Sequence, residues 1–100
     1  MKRFRLIVSD PAREDLHQIF DYILADNPPA AKKFLNRIET SLSRLAVFPL
    51  SGKVPRDESF QAKGYRVRVI DDYLAFYKVG KGTLTLLRVI HGRRDYAFLL

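Results

Sequence analysis

The feature that most limits how this chain can fold is Asn27-Pro28-Pro29, which separates two long stretches of helical apolar spacing. Proline breaks a helix interior, because it lacks an N–H and its ring clashes with the preceding turn, yet its fixed φ suits a first turn. One helix therefore stops near Asn27, and a second begins there with Asn27 as its cap. Upstream, Ala12, Leu16, Ile19, Phe20 and Ile23 fall on one helical face. Asp10 can cap this first helix, Pro11 suits its first position, and Glu14 and Asp15 favour the positive end of its dipole. Downstream, Ala31, Phe34, Leu35, Ile38, Leu42 and Leu45 form the second stripe, which Pro49 ends. Two long helices with so short a connection predict an antiparallel hairpin.

The flanking segments read differently. Arg3 to Val8 predicts a first strand, and residues 49–63 lack a period and read as a loop. Three strand-like runs follow: Tyr65 to Ile70, Tyr73 to Val79 and Thr83 to His91. Asp71-Asp72 and Gly80-Lys81-Gly82 are the turns between them, and Gly92 to Leu100 reads as a turn and a short final element. The expected class is α+β over residues 1–100 as one domain: an N-terminal strand, a helical hairpin, then a three-stranded antiparallel sheet.

The two turns also predict register. The first pairs Ile70 with Tyr73, Arg68 with Ala75 and Arg66 with Tyr77; the second pairs Val79 with Thr83, Tyr77 with Thr85 and Tyr73 with Val89. Side chains alternate along a strand, so one face collects Tyr65, Val67, Val69, Leu74, Phe76, Leu84, Leu86 and Ile90. That apolar face is expected under the helices. The other collects Arg66, Arg68, Tyr73, Tyr77, Thr85 and His91, and is expected to be free. Arg88 falls on the apolar side, which calls for an escape to an edge or a bulge that re-aims the strand.

Charge says what kind of partner to expect. The net charge is +7, with 8 Lys/Arg against 6 Asp/Glu in residues 1–50 and 10 against 5 in residues 51–100. A basic surplus in one half suits an anionic partner, either nucleic acid or an acidic protein. The chain has no cysteine, so disulfides, thiolate metal sites and cysteine nucleophiles are excluded. His17 and His91 are the only histidines, and His17 has no ligand-spaced neighbour, so no metal or cofactor is expected. The N-terminal apolar run is too short for a signal-peptide core, and no run approaches a membrane span, which fits a cytoplasmic protein with no membrane contact.

What remains is a guanidinium cluster interleaved with aromatic rings. Arginine binds phosphate through paired N–H groups, and tyrosine stacks on unpaired bases, so the predicted free face is a credible surface for single-stranded RNA. Cleaving RNA without a metal needs a base, a cation against the phosphate and an acid for the leaving oxygen. His91 suits base or acid, Arg66, Arg68, Arg93 or Arg94 suits the phosphate, and Tyr96 suits the acid.

Four stretches carry a family resemblance. Leu87-Arg88-Val89-Ile90-His91-Gly92-Arg93-Arg94-Asp95 resembles an Arg-Val-x-His-x-x-Arg-Asp closing strand. Asp15-Leu16-x-x-Ile19-x-x-Tyr22-Ile23 with Asn27-Pro28-x-Ala30-Ala31-x-x-Phe34 is the second. Leu45-x-x-Phe48-Pro49-x-Ser51-Gly52 is the third, and Gly64-Tyr65-Arg66 followed by Tyr73-x-x-Phe76-Tyr77 is the fourth. Together, in their order along the chain, they resemble the RelE/ParE superfamily of toxins, on the ParE side more than the RelE side. The resemblance implies the stable toxin of a type II toxin–antitoxin pair. Its partner would be a cognate antitoxin, and operator DNA would be met only through the antitoxin complex. It implies either ParE-like poisoning of DNA gyrase, which is not enzymatic, or RelE-like cleavage of mRNA on the ribosome; a non-toxic binding member is the third alternative. As a ribonuclease, Arg68, His91, Arg94 and Tyr96 would be catalytic. Arg66, Tyr73, Tyr77 and Arg93 would bind RNA or another target.

Overall fold

A computed structural model describes residues 3–93. The elements run β1 (Arg5–Val8), α1 (Asp10–Asp26), α2 (Pro28–Val47), α3 (Glu58–Ala62), β2 (Tyr65–Ile70), β3 (Tyr73–Val79) and β4 (Thr83–His91). The α+β expectation holds, and β1 adds to the antiparallel strands as a fourth, parallel one in the order β1-β4-β3-β2.

The hairpin forms where the two prolines place it. Asn27 closes α1 with its backbone N–H on the Ile23 carbonyl, and its side chain accepts from the Ala30 N–H to open α2. The cap of α1 is Ser9 rather than Asp10: the Ser9 hydroxyl accepts from the Ala12 N–H, one residue earlier than expected. Ser9 also donates to the Leu87 carbonyl, so one side chain both starts the helix and fastens it to β4.

The segment read as loop contains α3. Asp57 caps it, accepting from the N–H groups of Ser59 and Phe60. Those bonds, the Ser59 hydroxyl foremost, hold the Asp57 carboxyl below its ordinary pKa. The helix exists to place Phe60, which is buried against Phe76 with ring centroids 6.1 Å apart.

The predicted β2–β3 register is observed: Ile70 opposite Tyr73, Arg68 opposite Ala75 and Arg66 opposite Tyr77. Asp71 takes a left-handed φ of 55° at the turn, a conformation that aspartate tolerates better than most residues. The β3–β4 register differs. Val79 faces Leu84 and Tyr77 faces Leu86, one residue beyond expectation, because four residues, Gly80 to Thr83, lie between the paired Val79 and Leu84 although β4 itself begins at Thr83. The register then shifts between Phe76 and Tyr77, so Phe76 faces Arg88 and Tyr73 faces His91, two residues beyond expectation. A slip of one exchanges faces and a slip of two restores them. Leu84 and Leu86 thus join Tyr77, Thr85 leaves it, and Ile90 and His91 stay with Leu74 and Tyr73.

The helices cover the opposite face from the one expected. The main core joins Phe34, Ile38, Leu42 and Leu45 of α2 and Ala12 of α1 to Ile70, Ala75, Tyr77, Leu84, Leu86 and Val89. Burying each of its leucines contributes about 2 kcal/mol. The face with Tyr65, Val67, Leu74, Phe76 and Ile90 packs instead on Phe60 of α3. Ala75, Phe76 and Tyr77 are consecutive and all buried, since β3 is covered on both sides.

Candidate functional site

Arg66, Arg68, Tyr73, Tyr77 and His91 do share a face of the sheet, and Thr85 does not, but the aromatic and basic groups divide between opposite ends of β3. At one end, Tyr77 is fully buried beneath residues 49–52. Its hydroxyl donates to the Pro49 carbonyl at 2.8 Å and accepts from the Gly52 N–H at 2.9 Å. Burial pushes its phenol up from its ordinary pKa, against that N–H and the nearby Arg66 and Arg68. Arg66, opposite Tyr77, donates to the carbonyls of Leu50 and Gly52. Tyr77 as an exposed stacking ring is therefore corrected. It anchors a loop, and Arg66 clamps the same loop from the side.

Gly52 is required there. A Cβ at this position would lie 2.3 Å from the Tyr77 hydroxyl, nearer than real contacts allow. The Ser51-Gly52 pair noted in sequence thus has a packing reason: backbone must reach a buried phenol.

At the other end, Tyr73 stands edge-on between Phe34 (5.3 Å) and His91 (5.5 Å). Burial first, then Asp72, Tyr22 and Asp71, raise the pKa of the Tyr73 phenol. His91 is exposed, and its Nδ1 accepts from the Arg93 N–H at 3.1 Å. Four residue steps along β3 separate Tyr77 from Tyr73, about 13 Å at strand rise. Arg68 is half-buried opposite Ala75, and the strand β3 stands between it and His91. The structure therefore does not gather Arg66, Arg68 and His91 round one point. Arg94 and Tyr96 lie outside the described residues.

Sequence reading missed one constellation and left its arginine unexplained. Asp15 accepts from Arg88 Nε at 2.7 Å, Arg88 Nη2 at 2.9 Å and the Val89 N–H at 3.0 Å. The paired bond to Asp15 raises the Arg88 pKa further above its already high ordinary value. Both escapes foreseen for Arg88 are used: the shift in register falls just before it, and β4 is an edge from Leu87 onward because β1 ends at Val8. Past that point α1 replaces β1. Ser9 donates its N–H to the Leu86 carbonyl and its hydroxyl to the Leu87 carbonyl, and Asp15 takes the Val89 N–H. The signal was present. Asp15 lies on the stripe of Ala12, Leu16 and Ile19, where a carboxylate needs a buried partner.

Among the described residues no group of three metal-ligating side chains occurs, and no helix is long and apolar enough to cross a membrane.

Comparison with known proteins agrees with this geometry. The profile of the ParE toxin of type II toxin–antitoxin systems matches residues 6–96. Toxin ParE3 of Caulobacter vibrioides is 31% identical over 94 residues, covering 93% of this chain and 91% of that protein. The fold is similar to a chain of the chromosomal ParDE system of P. aeruginosa, with a TM-score of 0.73, 19% identity and coverage of 89% and 96%. It is also similar to a chain of the RelBE2 toxin–antitoxin complex of Mycobacterium tuberculosis, with a TM-score of 0.64, 26% identity and coverage of 95% and 97%.

Proposed function

This chain belongs to the ParE toxin family of type II toxin–antitoxin systems, and from that premise we propose that it arrests growth by binding DNA gyrase, until a cognate antitoxin covers it. The observation that supports inhibition by binding over catalysis is the dispersal of the basic and aromatic side chains. Tyr77 is sealed beneath a loop, Arg66 holds that loop's carbonyls, Arg88 is engaged by Asp15, and His91 stands at the far end of β3. RNA cleavage needs a base and cations within about 3 Å of one reacting phosphate. A protein that acts by surface contact needs no such convergence.

One observation favours the second reading, ribosome-dependent mRNA cleavage. His91 is exposed beside Tyr73 with Nε2 directed away from its Arg93 contact, and Arg93, Arg94 and Tyr96 follow it in the chain. The two readings separate cleanly. Purified toxin added to gyrase should inhibit supercoiling and trap cleaved DNA, while primer extension after induction should find no new mRNA ends. Codon-spaced mRNA ends that vanish in Arg68→Ala and His91→Ala, with supercoiling untouched, would replace gyrase with the ribosome. If neither readout moves while an antitoxin still binds, the chain is a binding member without toxicity.

A further inference from the structure

We propose that His91 is a positioning residue, whose ring fixes the course on which the chain leaves β4 and releases it on taking up a proton. Three ties converge where the strand ends. The His91 Nδ1 accepts from the Arg93 N–H at 3.1 Å. The Gly92 N–H donates to the Asp72 carbonyl at 2.8 Å, which holds the residue between them to the β2–β3 turn. The His91 ring stands edge-on to Tyr73, which stands edge-on in turn to Phe34 of α2.

Each tie has a local reason. Gly92 lies so close to the turn that a Cβ there would stand 3.3 Å from the Asp72 carbonyl oxygen, a tight contact with backbone. The turn is itself fixed, because Asp71 adopts its left-handed φ and meets Arg37 of α2. The His91 ring takes the N–H two residues on, as an asparagine or aspartate side chain does in a turn. Arg93, Arg94 and Tyr96, the residues that sequence reading gives to a target or to catalysis, begin at this point. The His91–Arg93 bond therefore sets the direction in which that run starts.

The chemistry of the acceptor makes this tie sensitive to a proton. A ring nitrogen that accepts an N–H must hold a lone pair, whereas protonated imidazole is a donor at both nitrogens. Protonation thus turns the acceptor of the Arg93 N–H into a second donor facing it. Histidine is also the side chain that ordinarily changes charge between about pH 5 and 8. The groups around the ring do not replace the lost bond. Tyr73 of β3 faces it, and Asp71 and Asp72 of the turn and Tyr22 of α1 act on Tyr73. Lys33 and Arg37 of α2 line the hollow beside Tyr73, and Arg37 meets Asp71. None of these carboxylates is in an ion pair with His91 among the described residues.

The test is NMR of the ¹⁵N-labelled full chain, His91→Asn and His91→Ala. At about pH 8 the ring nitrogen shifts should show Nδ1 without a proton. The Arg93 amide should then exchange about fivefold more slowly than its intrinsic rate. Residual dipolar couplings of Gly92 and Arg93 should share one alignment with β4. At about pH 5 both signatures should fade along the ring's own titration, while the β3–β4 amides stay unchanged. His91→Asn supplies a side-chain oxygen to the same N–H, so protection and couplings should survive at both pH values. His91→Ala should lose both at either pH. If His91→Ala does not fold, the wild-type titration set beside that of His91→Asn decides the matter. A proton on Nδ1 at the higher pH, Arg93 protection that ignores pH, or a loss in His91→Asn equal to that in His91→Ala overturns the proposal.

Discussion

Two aspartate–arginine pairs fasten the helices to the sheet, and they are not equivalent. Asp15 of α1 holds Arg88 of β4 through two hydrogen bonds and takes a third from the Val89 N–H, with side chains only 11% and 20% exposed. Arg37 of α2 meets Asp71 at the β2–β3 turn through a single contact, with side chains 61% and 36% exposed. The residue types are the same, so the difference lies in the surroundings. In water the attraction is screened and offset by ordering two side chains. In the half-dry seam between α1 and β4, either partner left alone is a charge without solvent. The Asp15 carboxylate also serves as the missing strand neighbour for Val89, a backbone duty the turn pair does not have.

Three substitutions probe this contrast. Asp15→Ala should lower stability by about 3–5 kcal/mol, since it removes the carboxylate that binds Arg88 and leaves the Val89 N–H unpaired. Urea unfolding followed by circular dichroism measures it, and a loss no greater than that of Arg37→Ala would erase the distinction. Gly52→Ala should be intermediate, at about 1–3 kcal/mol, because the new methyl must displace a buried phenol or its loop. Pairing it with Tyr77→Phe, which deletes the clashing oxygen, should show a non-additive double-mutant cycle. Additive losses would mean that the loop yields without disturbing the ring. Arg37→Ala should cost least, below about 1 kcal/mol, and less still as salt rises. A midpoint shift insensitive to salt would reveal a role for Arg37 beyond the exposed pair.

The same contrast explains what the sequence could disclose. Prolines, caps and helical stripes act locally, so the hairpin and its boundary at Asn27 are legible. A tight turn fixes its own register, and Arg66, Arg68 and Ile70 were paired correctly across it. The pairing of β4 depended on a four-residue connection and a shift near Leu87, neither of which has a strong local signature. Which face the helices cover depended on Phe60, carried by a short helix inside an aperiodic stretch. Counting apolar residues favoured the face of Val67, Leu74 and Phe76, and it could not weigh a lid made of one ring. The candidate site inherited that error. The cluster was grouped almost correctly, but Tyr77 proved to be interior. Asp15 was readable as an acid within an apolar stripe, and only its partner needed three dimensions.

The parallel pairing of Arg5 with Thr83 joins the first described strand to the last. Its contacts span most of the chain, and long closures of this kind slow folding. While the chain is still being made, β1 has no neighbour, and the first turns of α1 have no β4 to grip. A ribosome must release the chain through β4 before this sheet can close. The surface that β1, α1 and β4 build together thus forms only after β4 has been made.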